Sequence, residues 1–136
     1  MHIKFIRYSE RAHVPKRAYS SDTGCDIFMP GGGTICPHET LCIPTGFGID
    51  VPNGYNARLQ VRTSVAKKGI IVQGCAIDAG YTGEIHIIMH NMSNKPFGWR
   101  PNDRLCYIEV YPCVYPEFVE EEIKQRKTKG IGSTGL

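Results

Sequence analysis

No stretch of this sequence approaches the run of about 18 apolar residues that a membrane-crossing helix requires. A membrane span is therefore excluded, and no membrane partner is expected. The N-terminus, Met1 to Glu10, alternates in charge and has no apolar core, so no secretory signal is read there. Charge of one sign is also scarce. Sixteen Lys and Arg against thirteen Asp and Glu leave a net charge of +3. That is too little to coat a nucleic acid. It suits a protein that gathers a few cations around a small polyanion. The six cysteines (Cys25, Cys36, Cys42, Cys75, Cys106 and Cys113) include no C-x-x-C pair. With no leader to send the chain to an oxidising compartment, they are read as reduced thiols, Cys42 and Cys106 as small core residues in strands.

Long helical periodicity is missing as well. Gly (15) and Pro (9) punctuate the 136 residues about every ten positions, which favours many short strands. Strands are expected at 3–7, 40–43, 47–51, 55–62, 84–91 and 104–110. The stretch 70–77, broken by Gly74, reads as a hairpin, and Ser64–Lys68 as the one short helix. The length permits a single domain that buries about two-thirds of its unfolded surface. Residues 1–123 are read as an all-β barrel or jelly-roll-like domain. Residues 124–136, basic and Gly-rich, are read as a flexible C-terminal arm.

The most informative segment is Gly74-Cys75-Ala76-Ile77-Asp78-Ala79-Gly80-Tyr81-Thr82-Gly83. An acid held past a strand end by a tight turn is fixed in direction, as a water-activating base must be. The plain alternative is a turn aspartate capping its own backbone. Tyr81 offers a flat face near that acid, although a tyrosine after a turn is commonly just a half-buried strand residue. Arg62-Thr63-Ser64 sets a forked donor beside two hydroxyl residues at a helix start, where free N–H groups attract anions. An ordinary cap with a surface arginine would look the same. His86 and His90 fall on one face of a strand with Ile88 and are read as structural.

Four further segments stand in order around the first: Asp22-Thr23-Gly24-Cys25-Asp26-Ile27, Arg62-Thr63-Ser64 running to Ile70, Asn102-Asp103-Arg104 running to Ile108, and Gly130-Ile131-Gly132-Ser133-Thr134-Gly135. With it they resemble the five ordered motifs of the trimeric dUTPase family, the deoxyuridine triphosphate nucleotidohydrolases, from about residue 18 to the C-terminus. The resemblance implies a distorted jelly roll assembled as a homotrimer with exchanged C-terminal arms. It implies hydrolysis of dUTP to dUMP and pyrophosphate, which keeps uracil out of DNA and supplies dUMP for dTMP synthesis. Asp78 is then the catalytic acid that deprotonates a water for attack on the α-phosphorus. Gly74, Cys75, Ala76 and Ile77 read the uracil edge through their backbone. Tyr81 packs on the deoxyribose and excludes a 2′-hydroxyl. Arg62, Thr63, Ser64, Arg126, Gly132, Ser133 and Thr134 bind phosphates. Asp26 belongs to the metal and phosphate region. Mg2+ is implied as cofactor, bound chiefly through the triphosphate.

Four positions depart from the family pattern. Asn102 replaces a glycine, and asparagine tolerates the left-handed angles of the turn. Thr63 replaces a serine and keeps its hydroxyl. Tyr107 replaces a glutamine near the phosphates. Ile131 replaces the phenylalanine that stacks on uracil. Tyr107 and Ile131 keep open a second reading, a dUTPase-like regulatory protein that binds nucleotide with reduced or no catalysis. A third, the related dCTP deaminase, needs a glutamate where this chain has Ile88. The implied localisation is cytoplasmic, nuclear in a eukaryote, or intracellular for a viral enzyme, and no nucleic-acid partner is expected.

Overall fold

The computed structural model describes residues 1–123. Eleven strands and one helical turn follow in order: β1 (Lys4–Arg7), β2 (Cys25–Phe28), β3 (Gly33–Ile35), β4 (Thr40–Pro44), β5 (Phe47–Asp50), β6 (Tyr55–Val61), α1 (Thr63–Ala66), β7 (Ile70–Gln73), β8 (Ala76–Ile77), β9 (His86–Asn91), β10 (Phe97–Trp99) and β11 (Arg104–Pro112). The all-β class expected from the punctuation is the one observed. The strands form a four-stranded sheet β2-β11-β6-β8, a three-stranded sheet β4-β9-β7, and the pairs β1-β5 and β10-β3. Every pairing is antiparallel.

Period-two alternation decides which side chains meet in the core. On β9, Ile87, Met89 and Asn91 point inward. They meet Ile27, Leu59, Cys106 and Ile108 of the four-stranded sheet and Phe47 of β5 in one buried cluster. Full burial of a side chain such as Met89 or Phe47 contributes about 1.5–3 kcal/mol. Asn91 is fully buried, and its amide is satisfied on both sides. Its Nδ2 donates to the carbonyls of Ile35 (3.1 Å) and Lys95 (2.8 Å), and its Oδ1 accepts from the Ser93 backbone (2.9 Å) and hydroxyl (2.7 Å).

Several local expectations need correction. The stretch 70–77 is not a hairpin. β7 pairs with β9 in the three-stranded sheet, whereas β8 pairs with β6 in the four-stranded one. Gly74, at φ +60°, turns the chain out of one sheet and into the other. Cys42 is exposed, not a core residue, because Thr40, Cys42 and Pro44 form the outward set of β4. Cys106 is buried as expected. The helical turn begins one residue early. Its N-cap is Arg62 in extended conformation, and no side chain caps it, so Thr63 and Ser64 stand inside the turn. Strands β2, β3 and β10 have only three or four residues each and leave little pattern to read.

One close approach ties the core to the Asp78 segment. The backbone of Gly48 runs so near the loop that a Cβ there would lie 2.6 Å from the carbonyls of both Thr82 and Gly83. Backbone oxygens cannot swing aside as side chains do. Gly48→Ala is therefore expected to cost about 1–3 kcal/mol of stability by chemical denaturation and to displace the 78–83 turn. A variant as stable as the parent would show that this loop is not held by the contact.

Candidate active site

The segment carrying Asp78 is held from three directions. Asp78 follows β8, and its carbonyl accepts the backbone N–H of Tyr81 (3.2 Å), closing a turn through Gly80 at φ +81°. Gly80 N–H donates to the Val51 carbonyl (3.2 Å). Tyr8 Oη donates to the Thr82 carbonyl (2.6 Å). Beyond the turn, Gly46 N–H donates to Glu84 Oε1 (2.9 Å), and Ile85 N–H to the Phe47 carbonyl (2.8 Å). The carboxylate of Asp78 is exposed and forms no ion pair among the described residues. It is thus a positioned acid with free acceptor atoms.

A cleft of about 330 Å3 opens beside it, lined by Gly74, Ala76, Ile77, Asp78, Tyr81 and His86 among others. Tyr81 is half exposed, and its hydroxyl donates to the Glu84 carbonyl (3.4 Å). A Cβ on Gly83 would collide with that ring, so the glycine lets the tyrosine lie along the loop. Cys75 sits at the edge between Gly74 and β8, its carbonyl accepting Leu59 N–H (3.0 Å). His86, read from sequence as structural, is exposed in this cleft with Nδ1 3.2 Å from the Glu84 carbonyl. No residue-type signal distinguished it from His90.

A second, larger cleft of about 690 Å3 is lined by Asp22, Asp26, Arg62, Thr63, Ser64, Arg104, Tyr107 and Glu109 among others. At its floor Asp26 is gripped by two guanidiniums. Its Oδ2 lies 3.0 Å from Arg104 Nη1, and its Oδ1 lies 3.8 Å from Arg62 Nε. Arg62 also donates to the Arg104 carbonyl (3.0 Å). Asp26 lies within β2, beside β11, not at a strand end. Asn102 adopts φ +70°, and Asp103 Oδ2 accepts the Arg100 N–H (2.8 Å), which closes the turn that delivers Arg104. Tyr107 lies flat on Gly24, where any Cβ would strike the ring. Burial first, and the Glu109 carboxylate second, push its hydroxyl pKa up. Tyr19, Asp22 and Glu109 were not foreseen as cleft residues; only the pleat and register of β11 show that Glu109 is one.

The structure thus sorts the sequence candidates into two groups that do not share a cleft. Asp78 comes level with Asn56, six residues before Arg62, a separation of roughly 20 Å along β6 at about 3.3 Å per residue. Arg126, Ile131, Gly132, Ser133 and Thr134 lie outside the described residues. Among those described, no three His, Cys, Asp or Glu side chains come together to hold a metal, and no helix is long and apolar enough to cross a membrane.

A β domain with an arginine-lined cleft and, well along the same strand, an exposed acid beside an aromatic is suited to a phosphorylated ligand. The comparisons narrow the class. The dUTPase family model matches residues 10–135. A deoxyuridine 5'-triphosphate nucleotidohydrolase of Beijerinckia indica is 33% identical, over 98% of this chain and 89% of its own length. The dUTPase of Staphylococcus bacteriophage 80alpha with dUpNHpp superposes with a TM-score of 0.86 at 23% identity, covering 99% of both chains. A mutant dUTPase from phage phi11 of S. aureus, described with a structural Mg(II) ion, superposes with a TM-score of 0.85 at 23% identity, covering 93% of this chain and 100% of its own. The chain belongs to the dUTPase family.

The cysteines give a direct check on this geometry. Burial pushes the Cys106 thiol up to about 12, the neighbouring Cys75 adding to it. Burial also raises Cys75, with Arg58 pulling the other way. Since the thiolate is the reactive form, a raised pKa means slow reaction near neutral pH. Exposed Cys36 and Cys42 are expected to react with a disulfide reagent in the folded protein, and Cys106 only after unfolding. Mass spectrometry of the labelled chain reads this directly; labelling of Cys106 as fast as Cys42 would contradict the described burial.

Proposed function

We infer that this chain is a dUTP diphosphatase, cleaving dUTP to dUMP and pyrophosphate. The observation that carries this reading is Asp78: an acid fixed in a turn, with open acceptor atoms, facing a cleft walled by Tyr81 and the backbone of 74–77. Asp78 accepts a proton from a water that attacks the α-phosphorus. Backbone groups of Gly74, Cys75, Ala76 and Ile77 fit a uracil edge, and Tyr81 fits a deoxyribose face. A 2′-hydroxyl would have to bury against that ring without a partner. Arg62, Thr63, Ser64 and Arg104 supply donors for the phosphates. Regulation through nucleotide binding alone would give no use to a positioned acid. Deamination lacks a proton carrier, since Ile88 sits between Cys42 and Gln73 in the three-stranded sheet.

One substrate must touch both clefts, yet in a single chain they lie at opposite ends of β6. A second copy that presents its Asp78 cleft to the Arg62 cleft of the first resolves this, and the homotrimer that the family resemblance implies would supply it. The last motif fits a third contribution, with Arg126, Gly132, Ser133 and Thr134 on the phosphates and Ile131 over the base. Exposed Val114, Phe118, Val119 and Ile123 leave the segment after β11 with apolar side chains that a neighbouring copy could cover.

Magnesium fits the arginine cleft on charge. Three carboxylates against two guanidiniums leave one net negative charge among its charged lining residues, so a triphosphate entering it brings like charge to like. Mg2+ bound to the phosphate oxygens would supply that missing positive charge and polarise the phosphoryl groups, with Asp26 reaching it through water.

Asp78→Asn should reduce dUMP release by about 100-fold to 10,000-fold while a non-hydrolysable dUTP analogue still binds. Turnover equal to the parent would remove Asp78 as the base. Deletion of residues 126–136 should cut turnover steeply and leave the assembly unchanged by analytical ultracentrifugation. A monomeric product would make the arm a structural element instead.

A further inference from the structure

Glu109 occupies a position that neither the core nor the phosphate donors explain. On β11, Cys106 and Ile108 point into the core, whereas Tyr107 and Glu109 take the opposite face and line the arginine cleft. Glu109 is only 6% exposed, and its Oε2 is buried with no hydrogen-bond partner among the described residues. Leaving such an oxygen unpaired is costly, the more so when it is charged. Arg58 stands in register across from it on β6, yet the two form no ion pair among the described residues. Arg62 and Arg104 are both committed to Asp26. A carboxylate so placed repels a triphosphate and has no cation of its own.

We propose that Glu109 is a positioning residue for the hydrated divalent cation that enters with the triphosphate, its unpaired oxygen accepting a hydrogen bond from a cation-bound water. The proposal rests on the reading of this cleft as a triphosphate site. It accounts for two facts together. The free oxygen receives a strong donor, because waters on a divalent cation are polarised and donate well. The like-charge penalty disappears only when the cation is present, so the cleft discriminates against metal-free nucleotide.

The test is calorimetric binding of a non-hydrolysable dUTP analogue to the full chain, with EDTA and with saturating magnesium. In the parent, magnesium should tighten binding. In Glu109→Gln, metal-free binding should tighten because the repulsion is gone, and the ratio of metal-free to magnesium Kd should fall by about tenfold, the scale of outer-shell ligand losses. Glu109→Leu, which fills the site without a buried charge, should show the same loss of ratio. A ratio unchanged within twofold in both variants would overturn the proposal. So would a change of oligomeric state in either variant by ultracentrifugation, since Glu109 would then serve a neighbouring copy. Absence of analogue binding by the parent under both conditions would instead overturn the triphosphate reading and the proposal with it.

Discussion

The layout of this protein depends on the register of β6 between β8 and β11. Seven residue pairs lock β6 to β11, and two lock it to β8. Through the first contact β6 sets Tyr107 and Glu109 at the arginine cleft. Through the second it sets Asp78 beyond the opposite end. A one-residue slip would flip Ala57 and Leu59 out of the core and carry every site residue to the wrong face. Core burial and site geometry are therefore one constraint. The same strand that joins the two clefts also holds them apart, and that spacing is the physical argument for an active site shared between copies.

Within the arginine cleft, electrostatics are balanced rather than strongly positive. Asp26 takes up both guanidiniums at 3.0 and 3.8 Å. This fixes their direction and offsets part of their charge. With Asp22 and Glu109, the charged lining residues of the cleft sum to one net negative charge. Asp78 is in the reverse situation. It is exposed and has no ion-pair partner among the described residues, and it is held through the backbone of its turn.

Much of the fold class was legible. The frequent Gly and Pro and the alternating runs at 55–62, 84–91 and 104–110 correspond to β6, β9 and β11, the long strands at the centres of their sheets. The short strands β2, β3 and β10 escaped because three or four residues hold at most two periods of alternation. The 70–77 stretch misled because an apolar run broken by glycine looks alike whether its halves pair with each other or with different sheets. Cys42 misled because its strand alternates in the phase that turns it outward. In the candidate site, Asp78, Tyr81 and Arg62 stood out by residue type and spacing. His86 and Glu109 did not, since a charged residue inside a strand shows no sign of which face it takes.

The sequence by itself determined the chemistry on offer: an acid between small residues, an arginine beside hydroxyls, and five segments in family order. Those are local properties of neighbouring residues, and they survive without knowledge of the fold. Only the tertiary structure decided that the acid and the arginines stand at opposite ends of one strand, that Gly48 presses on the turn after Asp78, and that a carboxylate in the arginine cleft is buried with no partner among the described residues. Those facts follow from strand register and sheet partnership, which arise between residues far apart in sequence and leave no mark on either one alone.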